Sequence, residues 1–498
     1  MAQATTKYQI GNWPKEDFNI RSCSLYQPFN GHHSFDLVAS VPEAFNLTTA
    51  ILQDILGGKV SISIETEAGK CQFKGFVDQI NTSWTKSGQT LHVKGFSPTI
   101  FLDCAPAFRT FYQQPLSEIL KKITQSYDYG KLPDIVRKGT SDKVNFSVQS
   151  QETDYRYLCR LADNHGKVFF YDGEEIFFGD WKSAPANQVE LVWGKSCKQL
   201  DLSQNLAPLQ FELSGYNVLQ NQPNTCHTSL DNGRTGGIVA ATAKQSAIYP
   251  KAKMWVNYLV EDKKELEQTA HKILAKQAHE LVVLNGASDN PALRIGTKLT
   301  LKTGEKLMSD ETYRVIEVNH QVMSDGAYQN SFVAIPEGYE FGMRMQQGGS
   351  SMVGPLSAIV TNHQDPKKMG RVRVKFLGDA EQTNSPWLRV LLPYTKKGGF
   401  YFLPEKDDKV MVFFEDFNPE KSPFVMGSYF HGQAKAEVWE DANNKKKGIQ
   451  TEKIRFHFDD NTGKLTIEAD EIEISASKKM KIDGGQQLTQ KAKRIDLN

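Results

Sequence analysis

Histidine and cysteine are the residues of this chain that could bind a metal ion or carry redox chemistry, and their spacing argues against both. The six cysteines stand singly, with no CxxC pair, at Cys23, Cys71, Cys104, Cys159, Cys197 and Cys226. We therefore interpret them as reduced thiols that are buried as small apolar side chains. His32-His33 is the only histidine pair in the sequence and has no Cys or Asp at ligand spacing. We interpret it as a solvated turn rather than a metal site, and we expect no cofactor.

A second candidate chemistry is the binding of single-stranded nucleic acid by aromatic and basic residues. Phe400, Tyr401 and Phe402 are consecutive and lie near Lys396 and Lys397. The chain carries 59 Lys and Arg against 58 Asp and Glu, a net charge of +1. A chain with so little net positive charge would release few counterions from a nucleic acid on binding, so we expect no nucleic acid partner. We find no enzyme signature in the sequence.

The length of the chain and its pattern of apolar residues limit the number of domains and the class of protein. A chain of 498 residues is expected to form about three or four domains. No apolar run approaches the ~20 residues that a membrane span requires. The N-terminal residues lack the hydrophobic core of a signal peptide, so we expect assembly in the cytoplasm.

The C-terminal residues 454–498 form a ladder of short units in which every second residue is apolar. This period is typical of strands with one buried face. The units are Ile454–Phe458, Leu465–Ile467, Ile472–Ile474, Met480–Ile482 and Ile495–Leu497. Strands this short cannot close a core within one chain. One interpretation is an intertwined homo-oligomeric rod, and the other is one edge of an ordinary β-sandwich.

The N-terminal half reads as strands with an α+β insertion. Short alternating segments between residues 7 and 100 predict a small antiparallel barrel. In residues 105–200, two helical faces are predicted at Leu116, Ile119, Leu120 and Ile123 and at Tyr155, Leu158, Cys159 and Ala162. A hairpin built on Asp172-Gly173 follows the second helix.

The C-terminal half returns to strands. Residues 201–345 predict a second barrel interrupted by a long helix near 262–284, which Asn285-Gly286 would end. Residues 346–351 read as a linker. Residues 352–432 contain short strands separated by Gly and Pro turns, which fits a Greek-key barrel of the OB type.

Five sequence blocks in this last region resemble the OB domain of the type VI secretion spike protein VgrG, a module shared with the central spikes of contractile-tailed phages and phage-tail-like particles. The blocks are 365–376, 385–390, 399–405, 414–419 and 423–428. The residues that we assign to the family motif are Gly370, Arg371, Val372, Phe376, Trp387, Phe400, Pro404 and Gly427. In this family, the segment from Gly399 to Pro404 is a barrel-packing motif. The blocks 95–103, 109–114 and 152–162 are similar to the hub half of the same family.

The resemblance implies a mainly β homotrimer in which two barrels per chain form a ring of six, so that a threefold protein caps a sixfold tube. The domains would be a first hub barrel (1–104), an α+β insertion (105–200), a second hub barrel (201–345), an OB domain (352–432) and a linker with a trimeric β-helix or β-prism needle (433–498). The inward-facing needle residues would be Leu465, Ile467, Ile472, Ile474, Met480, Ile482, Ile495 and Leu497.

The implied function is structural. The trimer would join an Hcp-like inner tube protein to baseplate proteins, carry a PAAR-like tip protein and effector cargo, and meet a target membrane only on piercing. Contraction would deliver it to the extracellular space or the target cell. A lysozyme domain between barrel and needle is not expected, because only about twenty residues separate them. Because the sequence stops at Asn498, we expect any effector to be a separate molecule. The alternatives are the spike of a free extracellular particle, and a receptor-binding tail protein, which would need a large C-terminal lectin-like domain.

Overall fold

The structure of the chain is a computed structural model. It describes residues 2–11, 19–42, 48–86, 88–125, 127, 135–138, 140–184, 187–218, 220–228, 237–260, 262–302, 312–337, 352–396, 399–421 and 423–496. The chain is mainly β, as the sequence predicts. It divides into two compact units, residues 1–429 and 430–498. No helix in the described ranges is both long and apolar enough to span a membrane.

The first region is built from strands that alternate between buried and exposed side chains. The strands are β1 (Ala2–Gln3), β2 (Thr5–Ile10), β3 (Asn19–Pro28), β4 (Ser34–Val41), β5 (Lys59–Thr66), β6 (Gly69–Thr85) and β7 (Gly88–Phe96), with helix α1 (Thr49–Ile55) before β5. Gly95 lies where β7 crosses close over β6. A Cβ atom there would lie 1.8 Å from the carbonyl oxygen of Phe76, so only glycine fits.

The insertion combines two helices with two small sheets. Its elements are β8 (Pro106–Pro115), α2 (Leu116–Thr124), β9 (Ile135–Lys138), β10 (Lys143–Thr153), α3 (Asp154–Asn164), β11 (Val168–Tyr171) and β12 (Ile176–Gly179). Strands β8 and β10 pair antiparallel, and β12 lies between β11 and β9. The predicted apolar faces of α2 and α3 are all buried, and the Asp172-Gly173 hairpin forms as predicted.

The third region adds the remaining strands of the hub. Its elements are β13 (Gln188–Val192), β14 (Cys197–Gln204), β15 (Phe211–Asn217), β16 (Gln222–His227), α4 (Gly237–Gln245), β17 (Ala252–Trp255), α5 (Lys263–Ala278), β18 (Val282–Ser288), β19 (Lys298–Lys302), β20 (Thr312–Val322) and β21 (Ala327–Pro336). The prediction of a helix that reaches residue 284 is wrong. Helix α5 ends at Ala278, because Val282 and the residues after it, including Asn285-Gly286, pair with β14 and β21 as strand β18.

One continuous sheet joins the first and third regions. Its order is β14-β18-β21-β20-β3-β4-β7-β6-β5-β2, and β1, β13 and β19 pair at its side. The junction is the antiparallel pair β3–β20, in which His320 lies opposite Leu25. Strand β13 lies in the part of the sequence predicted as insertion, but it pairs with β19 of the third region. The main clusters of buried apolar side chains combine residues of this sheet with residues of the insertion, β15 and α5.

The OB region forms a five-stranded sheet of β22 (Leu356–Asn362), β23 (Arg373–Phe376), β24 (Arg389–Val390), β25 (Lys409–Phe414) and β26 (Pro423–Ser428), in the order β23-β22-β25-β26-β24. Short 3₁₀ segments occur at Pro98–Asp103, Trp181–Ser183, Ser246–Ile248, Glu415–Phe417 and Glu437–Trp439. The second unit contains an antiparallel sheet of β27 (Lys446–Gln450), β28 (Arg455–Asp459) and β29 (Lys464–Glu468).

Candidate functional site

The sheet of the second unit has one apolar face that nothing in the described part of the same unit covers. Phe456 lies opposite Ile467, and Phe458 lies opposite Leu465, so their side chains share one face. His457 lies on the other face, where its ring is 4.6 Å from the ring of Trp439. A single three-stranded layer with an open apolar face has no core of its own. The prediction of short strands in this segment is confirmed for β28 and β29.

The other predicted needle residues lie beyond β29. Within this chain, residues 469–496 form no strand. An extended segment without a neighbouring strand has no partner for its backbone N–H and C=O groups. The large apolar side chains from Leu465 to Ile495 are between 46% and 69% exposed, namely Leu465, Ile467, Ile472, Ile474, Met480, Ile482, Leu488 and Ile495. Leu497 lies outside the described residues.

The predicted OB motif residues have different roles in the barrel. Val372, Phe376 and Pro404 are buried. The Arg371 guanidinium donates two hydrogen bonds to Asp365, at 2.7 and 2.9 Å, and holds the pKa of that carboxyl well below its usual range. Gly370 has φ +67°, which favours glycine. The ion pair and the glycine together fix the loop that leads into β23.

Trp387 and Gly427 are two further residues of the predicted OB motif. The ring of Trp387 lies under the guanidinium of Arg373, which is 5.2 Å from the ring centroid. Gly427 has no atom within 4 Å of an added Cβ and no positive φ, so nothing in the described chain explains a glycine there.

Phe400, Tyr401 and Phe402 do not pack into the barrel of their own chain, because each of these residues is 42% to 63% exposed. The interpretation of these three rings as barrel packing is therefore wrong for the single chain.

The OB barrel shares its core with the insertion. Phe146 and Val148 of β10 belong to the same buried cluster as Val374, Phe376 and the other OB core residues. The N–H of Val148 donates to the carbonyl of Pro419, at 3.1 Å. The N–H of Thr110 on β8 donates to Asp379 Oδ1, at 2.9 Å, and Asp379 is buried. The insertion and the OB barrel are thus packed as one body.

A buried ionic network crosses the same contact. Arg160 of α3 bridges Glu152 of the insertion and Glu420 of the OB region, and its Nη1 lies 2.6 Å from Glu420 Oε1. Its Nη2 also donates to the carbonyl of Val148, at 2.8 Å. The hydroxyl of Ser147 donates to Glu420, at 3.0 Å. No sequence motif marks this network. The sequence signal for it is a charged residue, Arg160, that lies within one turn of the predicted apolar face of α3.

A second contact ties the OB region to the third region of the hub. Lys421 pairs with Glu265 of α5 at 2.7 Å, and its ammonium lies 3.8 Å from the centroid of the Tyr258 ring. The N–H of Leu259 donates to Glu415, at 2.8 Å. The OB region therefore contacts both the insertion and the third region.

The prediction of a solvated turn at His32-His33 is wrong. His33 is fully buried with its ring 5.1 Å from that of Tyr171, and His32 lies 2.8 Å from the hydroxyl of Thr99. His320 is also buried, and its Nδ1 lies 2.7 Å from the hydroxyl of Tyr328. Burial lowers the pKa of both His33 and His320 to about 3, so both rings are neutral near pH 7. Among the described residues, no group of three His, Cys, Asp or Glu side chains could hold a metal ion.

The thiols largely follow the prediction. All six cysteines are free, and all except the exposed Cys104 are buried. Burial raises the pKa of Cys23 and of Cys71 to about 12, so neither is a thiolate near neutral pH.

The described chain thus combines a hub sheet, an insertion packed against an OB barrel, and a C-terminal β-unit. Residues 32–326 match the family model "Phage tail baseplate hub (GPD)", and residues 356–430 match the "Type VI secretion system/phage-baseplate injector OB domain". The first match covers more than half of the chain, so the chain belongs to the phage tail baseplate hub family.

Two curated relatives are spike proteins by name. The chain is 28% identical over 210 residues to the type VI secretion system spike protein VgrG5 of Pseudomonas aeruginosa, covering 36% of this chain and 26% of the relative. It is 23% identical over 407 residues to the actin cross-linking toxin VgrG1 of Vibrio cholerae, covering 72% of this chain and 35% of that protein. The chain thus spans about a quarter to a third of the length of these relatives.

Solved structures share the fold at low identity. The E. coli c3393 protein, a component of the type VI secretion system, matches with a TM-score of 0.55 and 14% identity over 85% of this chain and 100% of that one. The half-lidded Francisella PdpA-VgrG complex matches with a TM-score of 0.56 and 8% identity over 94% of this chain and 88% of that one. At these identities, the likeness shows the fold alone.

Proposed function

We propose that the chain works as a homotrimer and forms the central spike and hub of a contractile injection machine. The hub would bind the hexameric Hcp-like inner tube and the baseplate, and the C-terminal unit would form a needle that pierces the target envelope on contraction. The proposed role is mechanical and not catalytic. The observation that carries this proposal is the exposure of alternating apolar side chains from Leu465 to Ile495 in the single chain.

The physical reason for a trimer is the cost of leaving those side chains in water. Burying an aliphatic side chain stabilises a structure by about 1.5–3 kcal/mol. Nothing in the described part of the second unit covers them. Copies of the same segment wound about one axis would bury them and would also pair the backbone of residues 469–496.

The exposed rings of the OB barrel support the same assembly. Phe400 and Phe402 lie 4.8 Å apart between ring centroids and are joined at the surface by Tyr401. Clustered exposed aromatic side chains are typical of protein interfaces, where they contribute much of the binding energy. A collar of three OB barrels would cover them.

The proposed spike would also have further partners and a route of delivery. A PAAR-like protein would cap the needle, and effectors would travel with the trimer. Assembly would occur in the cytoplasm, and contraction would deliver the spike outside the cell or into the target cell. The spike of a free extracellular particle is the second candidate, since the hub and OB family models name both phage baseplates and type VI systems.

The test is Ile474→Asp in the full chain. We expect loss of the trimer, because three carboxylates would lie near one axis and an unpaired buried charge costs several kcal/mol. Analytical ultracentrifugation measures the mass. Glu473→Lys changes the charge at the adjacent outward position and should leave the trimer intact. If Ile474→Asp sediments as a trimer with unchanged melting, the inward-facing assignment is wrong.

A further inference from the structure

An exposed tryptophan and a pocket lined by phenylalanine rings and one aspartate both lie along strand β6 of the first region. Strand β6 pairs with β5 from Gly69 to Phe76, and the backbone of Val77 still hydrogen-bonds to Gly57 and Gly58. From Asp78 to Thr85, its neighbouring strand in the described residues is β7. In the described residues, this second half of β6 is an edge of the sheet. Trp84 stands near its end with 74% of its surface exposed. An indole left in water at the end of an edge strand is a feature that a bound partner would explain.

The pocket lies where β6 leaves β5. It has a volume of about 230 Å³ and is lined by Gly57, Phe76, Val77, Asp78, Phe96, Ile100 and Phe101. The rings of Phe76 and Phe101 meet edge to face, with their centroids 4.7 Å apart. Asp78 stands at a bulge in β6 and is the charged residue of the lining. Such a pocket suits a large apolar side chain that carries one N–H donor at its edge.

Trp84 cannot fill the pocket of its own chain. It lies six residue steps along the extended strand from Asp78, a distance of about 20 Å. An indole side chain is much shorter than this. A projecting side chain and a matching pocket at different places on one chain are the two halves of a heterologous contact, which is the kind of interface that closes into a threefold ring.

We propose that Trp84 of one copy fills the pocket of a second copy in the hub ring. The indole ring packs between Phe76, Phe96 and Ile100, and its N–H donates to the carboxylate of Asp78. Lys86, two residues after Trp84, brings a cation to the same acidic pocket and completes the charge match. This contact rests on the proposed homotrimer, and it supplies the hub with an attachment that is separate from the needle.

The experiment places a photo-cross-linker at the tryptophan of the full chain. Trp84→p-benzoylphenylalanine is purified, irradiated and separated on a denaturing gel, and cross-linked peptides are mapped by mass spectrometry. We expect bands at multiples of the chain mass, with cross-links to residues 57–101 of another chain. The matched control is Trp255→p-benzoylphenylalanine, at an exposed tryptophan on edge strand β17, which should give no cross-link to those residues. The benzophenone has no N–H, so in this variant Asp78 faces the cation of Lys86; adding Asp78→Lys turns that attraction into repulsion and should lower the yield about tenfold.

The outcomes separate this contact from the trimer itself. Light scattering on the wild-type chain reports the trimer. A trimer whose Trp84 cross-links map elsewhere, or whose cross-linking yield is unchanged by Asp78→Lys, overturns the Trp84 contact and leaves the proposed function standing. Cross-links from Trp255 to the pocket, with none from Trp84, also overturn it. A monomeric wild-type chain overturns both proposals.

Discussion

At the scale of single residues, Arg160 is the charged side chain on which the junction between the insertion and the OB barrel depends. It pairs with Glu152 and Glu420 where all three are largely buried. Ion pairs in water contribute little, but a buried carboxylate that loses its partner is costly because it keeps its charge without solvation. Arg160 therefore matters more than the surface charges of the chain.

Arg160→Met tests this role. The methionine keeps much of the side-chain volume but leaves Glu152 and Glu420 without their cation, so we expect the free energy of unfolding to fall by about 3–5 kcal/mol. Denaturant titration followed by fluorescence measures it. Lys94→Met is the control, because Lys94 pairs with Asp36 at the surface, and its loss should cost less than about 1 kcal/mol. Equal effects of the two substitutions would contradict the assignment.

At the scale of elements, the antiparallel strand pair β8–β10 links the hub to the OB barrel. Its sequence belongs to the insertion, yet Phe146 and Val148 on one face of β10 are OB core residues. The alternation of a strand allows this, since successive side chains point to opposite sides. The OB barrel is thus stabilised by a strand that lies some 200 residues before it in the sequence.

Phe146→Ala should therefore destabilise the OB barrel although the residue lies outside it in sequence. We expect a loss of about 3 kcal/mol, from lost burial and the cavity left among Val374, Phe376 and Phe414. Limited proteolysis, with cleavage sites mapped to residues 352–429, measures the opening of the barrel. Phe417→Ala removes the same side chain at an exposed position of the OB region and should cost less than about 1 kcal/mol. Cleavage in the hub alone would count against a shared core.

At the scale of the whole molecule, the two halves of the hub meet at a buried polar cluster. His320 on β20 lies 3.3 Å from the side-chain oxygen of Gln27 on β3 and 2.7 Å from the Tyr328 hydroxyl. His33 is buried beside the same junction and, like His320, is neutral because burial lowers its pKa to about 3. The junction is consequently sensitive to acid.

Acidification should weaken the hub. The unfolded chain binds protons on these histidines near pH 6.5, whereas the folded chain binds them only near pH 3, so stability is full above about pH 6.5 and falls as the pH drops toward 3. At pH 5 we expect a loss of about 2 kcal/mol for each histidine relative to pH 7. Denaturant titrations at the two pH values measure it. His33→Asn should remove about half of this difference, and an unchanged difference would show that the buried histidines are not its source.

The sequence determined what depends on local pattern. Strand alternation, the buried faces of α2 and α3 and the Asp172-Gly173 hairpin could be read directly, because a period of two or 3.6 residues and a turn dipeptide fix which side chains are buried nearby. The family of the hub and the OB domain could also be read from the order of short motifs.

The tertiary structure decided what depends on distant partners. Helix α5 ends at Ala278 because residues 282–288 form strand β18, which pairs with β14 and β21. His33 is buried beside Tyr171, which lies far away in the sequence. Phe146 joins the OB core because β10 packs against a barrel that lies some 200 residues later in the chain. In each case the contact joins residues far apart in the chain, and a one-dimensional pattern carries no information about which distant surface will cover it.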